Sequence, residues 1–290
     1  MKIDAKVQSI SKLKDYFFLV PDYQREYVWK PDDEVEQFLI DIENEYSPDA
    51  KEQRNYFLGS IIIANNDRCF DVVDGQQRLT TIMLSLCVFR DLLKKETLNS
   101  AQKNYLQIIE NLLYNFDIES GETRVRLELQ YEESHDYLTA LIQEQPYNGV
   151  RSPSIVRMQD AYTKILRHFQ LYAGIDELID FAKYCLTKIE LVVIESQDWS
   201  SALKIFETIN QRGAGLNAMD LVKNLLFKAT KLLDSKFYIG VNTALNRFKN
   251  DFQYNFTGWN KSSVEARQKI LLELVFDTWR INDLRLDRVK

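Results

Sequence analysis

The sequence predicts a helix-rich α+β fold, in which a small mixed sheet is interrupted by a block of helices. Apolar runs of strand length occur at residues 17–20, 56–64 and 69–73, and turn residues or proline bound them. Between about residues 97 and 187 the apolar residues recur instead at helical spacing. Another run of strand length follows at residues 190–195. Because a single late strand is most simply buried by joining the earlier sheet, we expect the intervening helices to be an insertion.

Proline positions and apolar spacing predict the first elements of the chain. Residues 7–15 have the spacing of a short amphipathic helix, and the strand after it ends at Pro21, which has no backbone N–H to donate to a sheet. Pro31 suits the first turn of a second helix, which we expect to end near Tyr46. The buried face of that helix is marked by Val35, Phe38, Leu39 and Ile42. The loop between that strand and this helix is expected to be exposed.

Two neighbouring strands are predicted to form the centre of the sheet. Three consecutive isoleucines at residues 61–63 indicate that the strand at 56–64 is buried on both faces. The strand at 69–73 follows after a short Asn-Asn-Asp turn, so the two strands are expected to pair antiparallel. If the late strand at 190–195 enters in parallel with residues 69–73, both strands end at the same edge of the sheet, and the helix at 202–209 follows from there.

The remaining segments are predicted to be mainly helical. Helical spacing marks residues 105–116, 131–145, 154–172, 175–187, 216–233, 237–252 and 263–279. Residues 124–129 alternate polar and apolar side chains, which fits a short half-exposed strand. We therefore divide the chain into a core of residues 1–96 and 188–232, a helical insertion of residues 97–187, and a C-terminal helical extension of residues 233–290.

Length and composition indicate a globular protein without a membrane segment. The chain has 290 residues, 45% of them hydrophobic, and a net charge of -6, which opposes broad binding to nucleic acid, so any DNA contact should be local. The three cysteines lie in apolar segments without a Cys-x-x-Cys pair, which favours reduced thiols over disulfides or a zinc site. The apolar cluster near the N-terminus is too short for a secretory signal or a membrane span. We expect a cytoplasmic protein.

The densest polar cluster follows the strand at 69–73 and reads Asp74-Gly75-Gln76-Gln77-Arg78. Gly75 permits a tight reversal, unpaired N–H groups at a helix N-terminus favour anions, and Arg78 adds a planar set of donors suited to phosphate or carboxylate. The cluster therefore predicts a site for a phosphorylated ligand. Its alternative is structural, with Asp74 as a helix cap, Gly75 as a turn and solvated first-turn side chains. It is not a Walker A loop, which needs two spaced glycines followed by Lys and Ser or Thr.

Four ordered strings resemble the N-terminal domain family of GmrSD-type restriction proteins. Asp-Gly-Gln-Gln-Arg-Leu-Thr-Thr at residues 74–81 is similar to the family signature. Pro-Asp-Tyr-Gln-Arg-Glu-Tyr-Val-Trp at residues 21–29 is similar to its upstream Pro-x-Tyr-Gln-Arg-x-Tyr-x-Trp pattern, and Tyr-Phe-Leu-Gly-Ser-Ile at residues 56–61 matches the strand between. Residues 206–216, with Asp-Leu-Val-Lys at 220–223, are similar to the family's Phe-x-x-x-Asn-x-x-Gly-x-x-Leu segment.

The resemblance implies a ParB/sulfiredoxin-like nucleotide-binding core that hydrolyses a nucleoside triphosphate with Mg²⁺ and controls a DNA nuclease in defence against phage. Asp74 is then expected to hold Mg²⁺ or to position the attacking water, while Arg78 and Arg25 neutralise phosphates. Gln76 and Gln77 are expected to act beside them as catalytic residues that orient the phosphates or the water.

Further nucleotide-binding groups are expected from two other segments. Gln24 belongs, with Arg25, to the predicted loop after Pro21, whose alternative role is an ordinary surface loop. The turn after the helix at 202–209 supplies Asn210, Arg212 and Gly213, and we expect it to close over the same site as Gly75. The alternative for this turn is a helix-to-helix connection with a glycine stop.

Two histidines and the family resemblance together set the expected partners. Relatives often continue into an HNH-type nuclease domain, which needs histidines, whereas this sequence has only His135 and His168. We therefore expect the chain to be the NTPase half, acting with an HNH-type nuclease domain or subunit. The alternative is a non-catalytic ParB-like module that nucleotide or DNA switches between conformations. Direct DNA cleavage is the weaker third option, because the sequence shows no metal cluster of nuclease type.

Overall fold

The computed structural model of the chain describes residues 3–22, 24–118, 121–131, 135–172 and 174–210. Residues 1–208 form one compact unit, and residues 209–290 form a second. The described part has the predicted helix-rich α+β class. Its helices include none that is long and apolar enough to span a membrane.

Six of the eight described strands form one mixed sheet. The strands are β1 (Ile3–Ser9), β2 (Phe18–Val20), β3 (Tyr56–Asn66), β4 (Cys69–Asp74), β5 (Tyr114–Asp117), β6 (Glu122–Val125), β7 (Leu127–Leu129) and β8 (Ile189–Ser196). The sheet order is β1-β8-β3-β4-β2-β7, and β5 and β6 form a separate antiparallel pair. Strand β1 is antiparallel to β8, β8 is parallel to β3, β3 is antiparallel to β4, and β2 is parallel to both β4 and β7.

The helices pack around one long buried helix. They are a 3-10 helix (Ile10–Asp15), a π-helical turn (Pro31–Val35), α1 (Glu36–Glu45), α2 (Gln76–Leu93), α3 (Ser100–Leu113), α4 (His135–Ile142), α5 (Pro153–Phe169), α6 (Ile175–Lys188) and α7 (Trp199–Asn210). Fifteen of the eighteen residues of α2 are buried, and α2 packs against α3, α5 and α6. A helix that is buried nearly all round needs apolar side chains on every face, and the sequence of α2 supplies them.

The centre of the sheet forms as the sequence predicts. Strands β3 and β4 pair antiparallel, and Ile61, Ile62 and Ile63 have no measurable exposure. The predicted helix from Pro31 is present as the π-helical turn continued by α1, with its predicted apolar face buried. Burial of the isoleucine run on both faces explains why this strand lacks the alternating pattern of a half-exposed strand.

The first strand was not predicted, and the predicted helix at residues 7–15 is partly wrong. Residues 3–9 form β1, and only residues 10–15 are helical, as a 3-10 turn. Residues 3, 5 and 7 are apolar and residues 4, 6 and 8 are polar, so a period-two signal is present at the start of the chain. This alternation overrides the weaker helical spacing that begins at Val7.

The late strand joins the sheet as predicted, but its direction relative to β4 is opposite to the expected one. Strand β8 lies between β1 and β3 and runs parallel to β3, which itself runs antiparallel to β4. Strands β4 and β8 therefore run in opposite directions, and their C-terminal ends lie at opposite ends of the sheet along the strand direction. We expected the segments that follow β4 and β8 to meet because the two strands would end at the same side of the sheet. The observed strand directions remove that argument.

One strand of the main sheet comes from within the predicted helical insertion. Residues 127–129 form β7, which pairs in parallel with β2 at the edge of the sheet. The alternating pattern at residues 124–129 predicted a strand there, although not its partner. The division into core, insertion and extension stays a prediction, with β7 as a link between the first two.

A buried arginine ties α2 to the end of α4. Arg90 has 1% exposure, and its guanidinium donates to the carbonyls of Leu141 (3.0 Å) and Ile142 (2.5 Å) and to the Asp91 carboxylate (2.8 Å). Carbonyls of a last helical turn have no partner within the helix, so Arg90 satisfies groups that would otherwise be buried unpaired.

Replacement of Arg90 by alanine is expected to lower the free energy of unfolding by about 3–5 kcal/mol, because it leaves two carbonyls without their donor and the Asp91 carboxylate without its charged partner. Lys94→Ala is the matched control. Lys94 pairs with Glu110 and Glu144 but its side chain is 36% exposed, so we expect a loss of only about 0–1 kcal/mol. Urea denaturation of both variants measures the difference, and equal losses would contradict the structural role of Arg90.

Candidate functional site

The turn between β4 and α2 requires glycine. Gly75 has φ +93° and precedes the first residue of α2, and its carbonyl accepts the N–H of Leu79 at 3.0 Å. A Cβ at Gly75 would lie 2.5 Å from Cγ2 of Ile61, closer than any real contact. The left-handed backbone and the contact with β3 together fix where α2 begins.

Asp74 is a carboxylate in a poorly hydrated position at the end of β4. It is half-buried and accepts a hydrogen bond from the backbone N–H of Gly75. Burial raises its pKa above the ordinary 3.8, and the charges of Arg78 and Arg25 and the Gly75 N–H partly oppose that rise. The charged form of Asp74 is thus costly in the free protein, and an added cation would stabilise it.

Arg78 lies against the backbone of β3. Gly59 has φ +127° at an irregularity in the pairing of β3 with β8, and a Cβ there would lie 3.1 Å from Cζ of Arg78. The Nη1 group of Arg78 donates to the carbonyl of Ser60. This hydrogen bond uses one of the five N–H donors of the guanidinium. The guanidinium is therefore fixed in place with donors left for an anion.

The loop of residues 24–28 is fastened to the first turn of α2 by Gln77. The Gln77 side chain is 5% exposed, its Oε1 accepts the N–H of Val28 at 2.8 Å, and its Nε2 donates to the carbonyl of Glu26 at 3.0 Å. Both ends of the amide thus bind backbone groups of one loop. This geometry favours a positioning role for Gln77 over direct contact with a ligand.

Two further hydrogen bonds fix the same loop. Nε2 of Gln24 donates to the carbonyl of Val73 at 3.2 Å. The hydroxyl groups of Tyr27 and Thr81 lie 2.9 Å apart, and Thr81 also donates to the carbonyl of Gln77 at 2.9 Å. Since the single hydroxyl hydrogen of Thr81 is used in that second bond, Tyr27 is the donor in the first. Burial raises the pKa of Tyr27, which keeps its hydroxyl protonated.

Arg25 brings a second positive charge to the site. Its side chain is exposed, and its charge acts on Asp74. Its carbonyl accepts a hydrogen bond from the hydroxyl of Tyr131 at 2.8 Å, and Tyr131 is 2% exposed. Tyr131 follows β7, so a residue of the predicted insertion supports the backbone that carries Arg25.

Gln76 differs from Gln77 although the two are adjacent. Its side chain is 6% exposed, and it forms no side-chain hydrogen bond with the part of the chain that the structure describes. Its amide atoms are not among the described buried polar atoms that lack a partner, so they reach solvent in the first turn of α2, where they are available to a ligand or water. Of the two glutamines, Gln76 is the better candidate for a direct role.

The structure brings together most of the predicted site residues and does not describe the side chains of three others. Asp74, Gly75, Gln76, Gln77, Arg78, Gln24 and Arg25 lie around the start of α2. Arg212 and Gly213 lie outside the described residues, and so does the side chain of Asn210, the last residue of α7. Their placement in the site stays a prediction.

Sequence reasoning missed the groups that support the site. Gly59 was quoted only as part of a strand string, although a glycine inside a strand signals a bulge or a close backbone approach. Thr81 contacts Tyr27, which is 54 positions away, and Tyr131 contacts Arg25, which is 106 positions away. Contacts over such separations depend on the fold, so no local sequence pattern indicated either residue. The side chains of the site are therefore held by supporting residues that the sequence analysis did not identify.

Asp74 is the carboxylate that the start of α2 offers to a metal ion. The described residues include no group of three or more His, Cys, Asp or Glu side chains that could hold a metal ion. Mg²⁺ is commonly bound by one or two carboxylates, several waters and the phosphates of a substrate, so Asp74 fits Mg²⁺ that arrives with a nucleotide. It does not fit a metal held by protein ligands alone.

One family model matches the sequence over most of its length. The family is described as the GmrSD restriction endonuclease, N-terminal domain, and its model matches residues 7–227. The match includes the start of α2, the loop of residues 24–28 and residues 206–216. Among curated proteins, none matches the chain.

Asp74→Asn is expected to raise the melting temperature at neutral pH. Because the pKa of Asp74 is raised in the folded state, the unfolded chain loses this proton first as pH increases, and stability falls between pH 3.8 and the raised pKa. The amide variant avoids that loss. Its advantage should be full at neutral pH and disappear below pH 3.8. Thermal unfolding across pH measures it, with the exposed Asp49→Asn as control, and a less stable variant at neutral pH would contradict the dominance of burial.

The two adjacent glutamines are expected to differ in their effect on stability. Gln77→Ala removes the two hydrogen bonds to the loop of residues 24–28, which should lower the free energy of unfolding by about 1–3 kcal/mol. Gln76→Ala removes no protein hydrogen bond among the described residues and should cost less. Urea denaturation compares them, and the opposite order would exclude Gln77 as the residue that fastens the loop.

Proposed function

The chain belongs to the family of GmrSD restriction endonuclease N-terminal domains, which makes it a module of a DNA restriction system, and we propose that it binds and hydrolyses a nucleoside triphosphate there. The carrying observation is that Arg78, the first turn of α2 and the charge of Arg25 converge on Asp74. Together they combine positive charge with a carboxylate that burial makes receptive to a cation. A metal-bound polyphosphate carries both of the complementary charges.

Arg78 is the principal phosphate ligand in this proposal. Its guanidinium is fixed by Ser60 and the Gly59 backbone, so little side-chain freedom is lost when an anion binds. Its free donors can form two parallel hydrogen bonds to phosphate oxygens. Arg25 is exposed and supplies a second charge from the facing loop, which suits the outer phosphates.

The backbone at the start of α2 is the second anion-binding element. The N–H groups of the first helical turn have no acceptor within the helix, and the helix dipole places partial positive charge there. Gly75 gives them their position, since any side chain at Gly75 would collide with Ile61. Gln76 supplies a free amide beside them that can orient a phosphate oxygen or the attacking water.

Asp74 is the residue that would hold Mg²⁺. When bound with a nucleotide, the ion supplies charge neutralisation of the phosphates. Two arginines and one Mg²⁺ balance the roughly four negative charges of a nucleoside triphosphate. Asp74 loses its proton more readily beside a cation, which offsets the burial that raises its pKa.

The proposal extends to segments and partners outside the described residues. Asn210, Arg212 and Gly213 are assigned to nucleotide binding, and an HNH-type nuclease domain or subunit is the effector that nucleotide turnover controls. The core is ParB/sulfiredoxin-like and acts in the cytoplasm as part of phage defence. DNA contact is local or made by the companion domain, since a net charge of -6 disfavours a broad DNA-binding surface.

A non-catalytic nucleotide or DNA switch is the second candidate, and one observation favours it. The amides of Gln24 and Gln77 bind backbone groups of the site, so within the described residues Asp74 and Gln76 remain as the side chains that could position water. A site with few such groups can bind without rapid turnover. Nucleotide binding without phosphate release in the wild-type chain would select this candidate.

Arg78→Ala is expected to weaken binding of a nucleoside triphosphate about tenfold or more, because a charge-assisted phosphate contact is worth about 1.5–3 kcal/mol. Arg25→Ala should weaken it less, since water screens an exposed charge. Asp74→Asn should abolish Mg²⁺-dependent phosphate release. Titration calorimetry and a phosphate-release assay with each of the common nucleoside triphosphates provide the measurements.

The exposed Arg54→Ala serves as the matched arginine control and should bind as the wild type does. Melting temperatures of all variants separate loss of binding from loss of folding. Unchanged affinity in the Arg78 and Arg25 variants together would refute the phosphate assignment.

A further inference from the structure

We propose that β1 is a dimerisation strand, which pairs antiparallel with β1 of a second copy of this chain and joins the two sheets into one. Strand β1 is an edge of the six-stranded sheet, and no described strand pairs with its outer side. Five of its seven residues are exposed, and they include Ile3 at 46% and Val7 at 61%. An edge that displays apolar side chains and unpaired backbone groups is a template for another strand.

The sequence of β1 is complementary to itself in one antiparallel register. If a two-fold axis passes through Ala5, residues whose numbers add up to ten lie opposite each other. Ile3 then faces Val7 of the partner, and Asp4 faces Lys6 of the partner, with each pair formed twice. An antiparallel pair of strands is stabilised when residues that face each other carry charges of unlike sign, and also when they are both apolar. A shift by one residue would place Asp4 and Lys6 on the apolar face and lose both kinds of contact.

The two faces of β1 keep these contacts separate. Ile3, Ala5 and Val7 alternate with Asp4 and Lys6 along the strand, so apolar and charged side chains point to opposite faces of the sheet. The apolar residues lie opposite residues 192, 194 and 196 of β8, and Ile194 is buried. The partner's Ile3 and Val7 would extend this apolar face across the axis.

The charged face already contains one ion pair. Asp4 and Lys6 lie 2.5 Å apart, with about half of each side chain exposed. In the paired sheet the four charges of two copies alternate in sign, and each Lys6 lies between two Asp4 carboxylates. These contacts supply specificity and register more than affinity, because they remain partly hydrated.

Pairing of β1 closes on itself. A two-fold contact uses the same strand in both copies, so it yields a dimer rather than an open chain. Five overlapping residues make a small contact, so we expect a weak and reversible dimer.

Charge exchange tests both the contact and its register. Lys6→Asp makes the facing residues all acidic, and Asp4→Lys makes them all basic, so each variant alone should be monomeric. An equimolar mixture restores Asp opposite Lys at every position and should form a heterodimer. Sedimentation equilibrium of the full chain detects a dimer as twice the 34.2 kDa mass. The wild type and the double variant Asp4→Lys/Lys6→Asp should both dimerise.

Three outcomes of the sedimentation experiment would overturn the proposal. They are a wild type that stays monomeric up to millimolar concentration, dimers that persist in both single variants, and a mixture that stays monomeric while the wild type dimerises. Rescue by mixing also separates loss of contact from misfolding, because misfolded variants would not recover a dimer.

A cysteine on the proposed axis gives an independent test. Opposite Cα atoms in an antiparallel pair lie about 4.5 or 5.5 Å apart, and a disulfide accepts both distances. Ala5→Cys should therefore form a covalent dimer under mild oxidation. Val7→Cys is the control, since the two copies of residue 7 would lie about 14 Å apart along the strands. Equal cross-linking of both variants, or none in Ala5→Cys, would refute the register.

Discussion

The near-complete burial of α2 is the constraint on which the described structure depends. A helix surrounded by the sheet and by other helices cannot shift along its axis, and the left-handed Gly75 against Ile61 fixes its first residue. The polar groups of its first turn are then fixed beside the core, where unpaired groups are costly. The loop of residues 24–28 satisfies one of them by binding both ends of the Gln77 amide. Packing of one helix thus creates both the position and the polarity of the candidate site.

This arrangement also couples the site to the helical part of the chain. Tyr131 donates to the carbonyl of Arg25, and the N–H of Gln130 donates to the carbonyl of Val20 at 2.9 Å. Arg90 ties the other end of α2 to the last turn of α4. The segment from β7 to α4 therefore has a structural role, because Tyr131 supports the backbone that carries Arg25 and α4 contacts the last turn of α2. A displacement of this part of the chain would therefore alter the distance between Arg25 and Arg78.

The sequence predicted those features that depend on local pattern. The class of fold, the pairing of β3 with β4 and the cluster of polar residues before α2 follow from apolar spacing and from one glycine. The direction of β8 relative to β4 did not follow, because a buried apolar run fits either direction equally well. Strand β1 was missed although its alternation was present, since helical spacing overlaps it at Val7. The hydrogen bond from Tyr131 to Arg25 joins residues far apart in the chain, and no local pattern encodes such a contact.

A crystal structure with Mg²⁺ and a non-hydrolysable nucleoside triphosphate tests the central claim most directly, which is that the start of α2 is a polyphosphate site. The account predicts phosphates at the N–H groups of residues 76–78, with the Arg78 guanidinium and Arg25 on their oxygens and the ion on Asp74. The Gln77 amide should stay bound to the loop of residues 24–28. A nucleotide that binds elsewhere, with Arg78 and Asp74 free of contact to it, would contradict the account.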